Sequence, residues 1–248
     1  MVQTKERMEL PVDVDDRKTW PPQVDDIVDK WAKQCKGTTE YTNDLALALE
    51  DEKEFRELLS GCFLRAYHCT RLLPHEIPMV VEIGLRPLSA DLLYDRINSA
   101  EEAGAIGPED AENLRAAHVF ATGNHRYREN QVCLILSKSM FIHSLHGCKP
   151  LLENWGGEGI YRSPKVLPIL DRLKGLSKPT VVIALLDLSG RNSPHNVYPA
   201  LHKVFVGAAL RFSDVGADVS YKAPVPAEHV ERLLQPGELD YELLGDLP

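Results

Sequence analysis

A chain of 248 residues with 44% hydrophobic side chains and a net charge of −9 can bury a sizeable core and carries no overall basic footprint for nucleic acid or an anionic membrane. Its five cysteines are odd in number and lack a C-x-x-C spacing, so reduced thiols in a cytoplasmic protein are expected. The first residues lack an apolar signal-peptide core, and no apolar run reaches the roughly 18 residues needed to span a bilayer, which predicts a soluble chain with no membrane partner. The charge is uneven: residues 1–60 hold nine basic and fifteen acidic side chains, whereas residues 111–174 hold nine basic, five acidic and four histidines. A basic centre suits a phosphate-bearing ligand, and a solvated charge mosaic accounts for it equally well.

Residues 1–19 are polar and read as loosely ordered before Trp20-Pro21-Pro22 forces an extended turn. Val24, Ile27, Val28 and Trp31 then recur at i, i+3, i+4, i+7, predicting a helix from about Val24 to Lys36. A second helix is expected from Thr42 to Leu59, capped by Thr42 or Asn43 and closed by Ser60-Gly61. Together these form a helical extension, residues 1–60, on a main domain of residues 61–248.

The stretch Leu64–Leu72 begins as an apolar and aromatic strand, yet His68, Thr70 and Arg71 crowd its end. Polar groups gathered at a strand end mark a candidate site; a hydrogen-bonded core histidine is the plain alternative. A short helix follows, with Pro78 in its first turn and Gly84 as a left-handed cap, and Leu85–Leu88 reads as a short extended strand. Ser89 caps a helix to about Ala103, and Gly107-Pro108 opens another to about Ala117. Leu92, Leu93, Ile97 and Ala100 lie on one face of the first, so both helices are expected to pack on a sheet.

Gln131–Leu136 and Thr180–Leu188 read as buried strands. Between them, Trp155-Gly156-Gly157-Glu158-Gly159-Ile160-Tyr161 has the glycines that let a backbone approach a ligand or a neighbouring strand closely. Lys203–Val206 and Ala217–Ala223 alternate like strands, and Pro224 and Pro226 break the chain before a helical turn from Ala227 to Leu234. Strands and helices in this order predict a mixed α+β domain. Neither a G-x-G-x-x-G dinucleotide motif nor a P-loop is present.

Tyr67-His68-Cys69-Thr70-Arg71, a helix, and then Ile83-Gly84-Leu85 resemble the first strand, helix and second strand of the ADP-ribosyltransferase fold. Gly157-Glu158-Gly159-Ile160-Tyr161 is similar to the Gly-x-Gly-Ile-Tyr segment of poly(ADP-ribose) polymerases, in the same order along the chain. Lys178–Gly190 and Asp218–Tyr221 fall where later strands of that fold would lie, so the resemblance covers about residues 61–234.

The resemblance, to the diphtheria-toxin and polymerase-like branch, implies a split antiparallel sheet that binds NAD in a cleft. The chain would cleave the nicotinamide–ribose bond and transfer ADP-ribose to a protein or nucleic-acid acceptor. His68 would hydrogen-bond the nicotinamide-side ribose, and Tyr161 would stack on the nicotinamide ring. A planar leaving group needs an aromatic platform, and the reacting carbon must be held within about 3–3.5 Å of its attacker. Thr70 would orient His68, Arg71 would meet the pyrophosphate, and the backbone at Cys69 and Gly159 would approach the dinucleotide.

The family's third position is a glutamate that stabilises developing positive charge. Here Asp218 is the nearest carboxylate, shorter by one methylene, a departure that points to transfer of a single ADP-ribose or to loss of activity; Asp214 and Glu228 lie in the flanking loop and helix. Cys69 stands where many relatives have glycine, so its side chain must point away from the ligand.

Plain alternatives accompany each residue: Tyr161 as a core aromatic, Asp218 as a solvent-facing strand residue, Arg71 as a surface charge. A weak NAD or ADP-ribose binding module is the rival reading. A metal-dependent nuclease or hydrolase built on His118, His125, His143 and His146 is the third, although their spacing matches no zinc motif and no metal ligand is expected. Arg126-Tyr127-Arg128 would suit a phosphate or a nucleic-acid acceptor, or form a solvated turn.

Overall fold

The computed structural model describes residues 11–34, 52–123, 128–143, 145–189, 197–198, 201–211, 217–245 and 247–248. The helix start expected at Thr42 or Asn43, together with His125, Arg126, Tyr127 and Asp214, lies outside these residues.

Helices α1 (Pro22–Gln34) and α2 (Glu52–Leu58) precede the first strand, β1 (Phe63–Leu72). Next come α3 (Glu76–Ile83), α4 (Ala90–Glu102), α5 (Pro108–Ala117), β2 (Val132–Ile135), α6 (Ser139–His143), α7 (Leu145–Glu153) and α8 (Leu167–Leu176). The chain ends with β3 (Lys178–Asp187), β4 (Val197–Tyr198), α9 (Leu201–Leu210), β5 (Asp218–Tyr221), β6 (Val230–Leu234) and α10 (Leu239–Glu242). The strands form a six-stranded antiparallel sheet in the order β4-β5-β2-β1-β3-β6. This is the mixed α+β architecture expected from the sequence.

β1 and β3 are the centre, paired from Phe63↔Asp187 to Leu72↔Lys178. Val181, Val182, Ala184, Leu185 and Leu186 are buried on both faces of β3, which is why that run is apolar throughout instead of alternating. On its other edge β1 changes partner along its length. Val12 bridges Leu64 in parallel, with Val12 N donating to Phe63 O at 2.8 Å and Arg65 N to Val12 O at 2.9 Å. β2 then meets β1 at Tyr67↔Ile135.

Two apolar cores result. The larger joins the sheet to the amino-terminal helices, where Trp20 and Phe205 rings lie 4.9 Å apart and Phe55 and Phe205 rings 5.2 Å apart. Full burial of Phe55 and Phe205 stabilises by roughly 1.5–3 kcal/mol each, so α1, α2 and α9 are held by aromatic packing. The smaller core unites Leu93, Ile97 and Ala100 of α4, Ala111 and Leu114 of α5, Ile169 and Leu173 of α8, and Trp155. No helix among the described residues is long and apolar enough to cross a membrane.

Several local expectations change. Residues 11–19 are built into the fold, because Val12, Val14 and the neighbouring Trp20 are buried. Helices α4 and α5 pack on each other in the smaller core, and Leu92 turns away from Leu93 and Ile97 to line a cleft. Lys203–Val206 belongs to α9, since Leu201, Val204 and Phe205 fall at i, i+3, i+4 and all are buried. Ala227–His229 is one 3₁₀ turn, and Val230–Leu234 becomes the edge strand β6 by pairing with β3.

Leu85–Leu88 contributes an isolated bridge, Leu85↔Val225, instead of a strand. Gly84 ends α3 at φ 90° and ψ −156°, so its backbone turns into that bridge and not into a left-handed helical cap. A Cβ at Gly84 would stand 2.0 Å from the carbonyl oxygen of Val225, so only glycine permits this approach.

Candidate functional site

Side chains of β1 alternate, which places Leu64, Ala66, His68, Thr70 and Leu72 on one face and Arg65, Tyr67, Cys69 and Arg71 on the other. His68 lies one residue beyond the Tyr67↔Ile135 pair, and its Nδ1 donates to the carbonyl oxygen of Cys133 at 2.8 Å. A carbonyl only accepts, so Nδ1 carries the proton and Nε2 of the neutral ring is a bare acceptor. Burial holds the imidazole pKa below its ordinary value, with the Cys133 bond pulling the other way. At neutral pH, therefore, His68 presents an acceptor to any ligand hydroxyl that reaches it.

His68 and Thr70 form one wall of a half-open cleft of about 110 Å³, closed by α3 and α4 where the sheet meets the smaller core. Its apolar side includes Met79 and Ile83, exposed by 39% and 55%. A volume of this size takes one ring-sized group, so a dinucleotide would lie across the cleft with only one part inside it.

The polar floor is Glu76 with Arg96. Glu76 accepts from Arg96 Nε at 2.6 Å, from Leu73 N at 2.7 Å and from Trp155 Nε1 at 2.8 Å. These donors hold its carboxyl below the ordinary value even though burial alone would raise it. The Arg96 guanidinium also lies over the Trp155 ring, 5.0 Å from its centroid. Glu76 thus ties the end of β1, helix α4 and the start of the glycine turn into one unit.

The remaining residues singled out from the sequence separate by face. Cys69 points away from the cleft into the core, where contact with the Cys148 thiol and burial raise its pKa. Its peptide group faces the β2 edge, by alternation with Arg65 N, which bonds Val12, and Arg71 O, which accepts from Arg96 Nη2 at 3.1 Å. The orienting partner of His68 is the Cys133 carbonyl, a role the sequence reading had given to Thr70.

Arg71 is no surface charge and does not face the cleft. It is buried with Nε donating to Ser177 Oγ at 2.8 Å, Nη1 to Leu152 O at 2.9 Å, and Nη2 to the carbonyls of Lys174 and Ser177. With its donors committed to α7, α8 and the turn before β3, Arg71 is a structural clamp, and its assignment to a pyrophosphate is corrected.

Gly159 is buried, its carbonyl accepting from Val119 N at 2.9 Å, and a Cβ there would press Leu93 at 3.1 Å. A side chain here would need Leu93 of α4 to give by a few tenths of an ångström. Tyr161 is half-buried against the smaller core and does not line the His68 cleft; burial and Glu158 raise its hydroxyl pKa. Asp218 stands exposed at the start of β5, opposite Ile135. Burial around the carboxyl raises its pKa, while Arg128 opposes that rise.

Arg128, which the sequence offers as part of a phosphate or nucleic-acid contact or of a solvated turn, meets protein groups. Its Nε lies 2.9 Å from Glu158 Oε2, and its Nη1 donates to Cys133 Sγ at 3.4 Å. Glu158 also accepts from Arg162 Nη2 at 3.0 Å. Cys133 consequently touches both groups: its carbonyl holds His68, and its sulfur meets the arginine beside Glu158. The only sequence signal for this cluster was the arginine-rich stretch before β2, since Glu158 was read only as part of a glycine motif.

No group of three or more His, Cys, Asp or Glu side chains among the described residues is arranged to hold a metal ion. His118, one of the histidines behind the metal reading, is buried with Nδ1 accepting from Phe120 N and Ala121 N. The chain matches no family model, no curated protein and no solved structure. Its chemistry is read from its own residues.

Proposed function

We propose that this chain is an NAD-dependent ADP-ribosyltransferase that moves one ADP-ribose unit to a macromolecular acceptor. The observation that carries the reading is His68, a neutral imidazole held by the Cys133 carbonyl at the edge of a cleft where β1 and β2 part. Its free acceptor suits a ribose hydroxyl of NAD, and the outward peptide group of Cys69 suits the carboxamide. Tyr161 supplies the aromatic platform in this proposal, and Asp218 or Glu158 supplies negative charge for the oxocarbenium-like centre.

In the reaction the bond between C1′ of the ribose and the nicotinamide nitrogen breaks, and nicotinamide leaves with the electron pair. An acceptor oxygen or nitrogen then forms the new bond to C1′ and gives up its proton to a carboxylate or to water. The described cysteines are free thiols, which suits a reducing cytoplasmic setting.

One observation favours a second reading. Tyr161 and Asp218 do not line the cleft that holds His68, so a module that binds NAD or ADP-ribose without turnover fits the geometry of the isolated chain. Nicotinamide release from NAD, measured with and without cell lysate and beside His68→Ala, separates the two. Release that depends on His68 is the expected result. Saturable NAD binding with no release in either condition would replace the transferase with the binding module.

A further inference from the structure

Three side chains on the wall of the His68 cleft keep hydrogen-bonding capacity that the described residues do not use. His68 offers Nε2 as a bare acceptor, because its Nδ1 proton is given to the Cys133 carbonyl. Thr70 faces the same cleft two residues along β1, is only 7% exposed, and has no hydrogen-bond partner for its hydroxyl among the described residues. A hydroxyl so enclosed costs free energy unless a ligand or water pairs with it. Arg96 on α4 spends two of its five N–H donors, Nε on Glu76 and Nη2 on the carbonyl of Arg71. Both bonds use the Nε edge of the guanidinium. The outer edge, formed by Nη1 and the second Nη2 proton, has no acceptor among the described residues.

The two ends of this wall ask for opposite partners. His68 needs a donor and turns away an oxyanion, since both would present lone pairs; burial and the Arg96 charge keep its ring neutral. Arg96 needs acceptors, and the outer edge of a guanidinium matches two oxygens of a phosphate. Residues i and i+2 of a strand stand roughly 6.5–7 Å apart, which suits a ribose lying between a hydroxyl at His68 and a phosphate at Thr70. The other arginine of the cleft, Arg86, is paired with Asp95 at 2.7 Å and is 38% exposed, so water and salt screen it.

We infer that Thr70 and the outer edge of Arg96 receive the pyrophosphate of the dinucleotide, so that NAD lies along β1 with its nicotinamide-side ribose at His68 and its phosphates toward α4. This inference rests on NAD or ADP-ribose being the ligand, as proposed above, and it supplies the phosphate contact that Arg71 cannot make. Glu76 fixes the guanidinium from its inner edge, and its own oxygens already hold three donors. The apolar wall of Met79, Val80, Ile83 and Leu92 thins the water around the fork, which strengthens a charge-assisted bond there.

The test titrates wild type, Thr70→Val, Arg96→Lys and Arg86→Gln by calorimetry with two probes, ADP-ribose, which carries the pyrophosphate, and nicotinamide riboside, which has no phosphate. Thr70→Val and Arg96→Lys are each expected to weaken ADP-ribose by about 10- to 100-fold, the worth of a hydrogen bond to a charged group, and to leave nicotinamide riboside unchanged. Arg86→Gln should bind ADP-ribose like wild type. Thr70→Val preserves shape and charge, so it decides the matter if Arg96→Lys melts early. Wild-type affinity for ADP-ribose in folded Thr70→Val overturns the inference while leaving the transferase intact. An equal loss in Arg86→Gln also overturns it, because general positive charge would then carry the affinity. Weakened nicotinamide riboside binding in Thr70→Val and Arg96→Lys overturns the phosphate assignment. A wild-type protein that binds ADP-ribose through Thr70 and Arg96 yet releases no nicotinamide keeps this site and removes the transferase. One that binds neither NAD nor ADP-ribose overturns both.

Discussion

His68 and Cys133 are joined across the parting of β1 and β2 by a 2.8 Å bond from the imidazole Nδ1 to the carbonyl oxygen. The bond consumes the ring's proton on the strand side, which leaves Nε2 as an acceptor. A side chain here takes a backbone carbonyl that a continuous ladder would otherwise use.

His68→Ala is expected to reduce nicotinamide release by about 10²-fold or more while the protein stays folded. His68 also makes stability depend on pH. Its folded pKa is depressed, whereas in the unfolded chain it titrates near 6.5. Between those values the unfolded state binds more protons, so this contribution is complete above 6.5 and fades as pH falls toward the folded value. Urea unfolding of wild type and His68→Ala across that window checks the sign: the alanine variant should lose less stability on acidification.

Tyr161 acts through its ring if it stacks on nicotinamide. Tyr161→Phe should retain most of the wild-type kcat, and Tyr161→Ala should lose about 10- to 100-fold, the usual worth of one stacked base. Equal losses in both variants would instead assign the hydroxyl a role and discard the platform.

Arg71 should behave as a stability residue. Arg71→Met strands the Leu152, Lys174 and Ser177 carbonyls in the interior and is expected to cost roughly 3 kcal/mol. Denaturant midpoints measure the loss. A variant with an unchanged midpoint and weakened NAD binding would return Arg71 to the ligand.

Glu76 provides a second pH handle, opposite in type to His68. Its folded pKa is depressed below the ordinary 4.5, so its contribution is present above that value and is lost as pH falls through the folded pKa. Glu76→Gln leaves Arg96 without its counter-charge and should cost about 3 kcal/mol at neutral pH. The variant should also lose less stability than wild type on acidification, which thermal melts at acid and neutral pH would reveal.

Local signals in the chain were sufficient for α4, because Ser89 accepts from Leu92 N at 3.1 Å, and for β3, whose middle run Val181–Leu186 is apolar and begins with three β-branched residues. They were insufficient for Leu201–Leu210, an apolar run that suits either a strand or a buried helix until Phe205 meets Trp20 and Phe55. The cleft face of α4 was present in principle, since Leu92, Arg96 and Ser99 follow helical spacing, yet grouping Leu92 with Leu93 concealed it.

The amino-acid sequence by itself determined the apolar runs, caps and breaks that make a mixed α+β chain, and it placed His68 on a strand, although β1 runs on to Leu72 and leaves His68 in its middle instead of at its end. Tertiary structure alone decided that Arg71 faces the core, that Glu76 serves Trp155 from 79 residues away, and that Arg128 reaches Glu158. The physical reason is range. Periodicity and capping depend on neighbours within a turn or two, whereas the partner of a buried charge is chosen by whichever distant donor the packing of the two cores brings within hydrogen-bond reach.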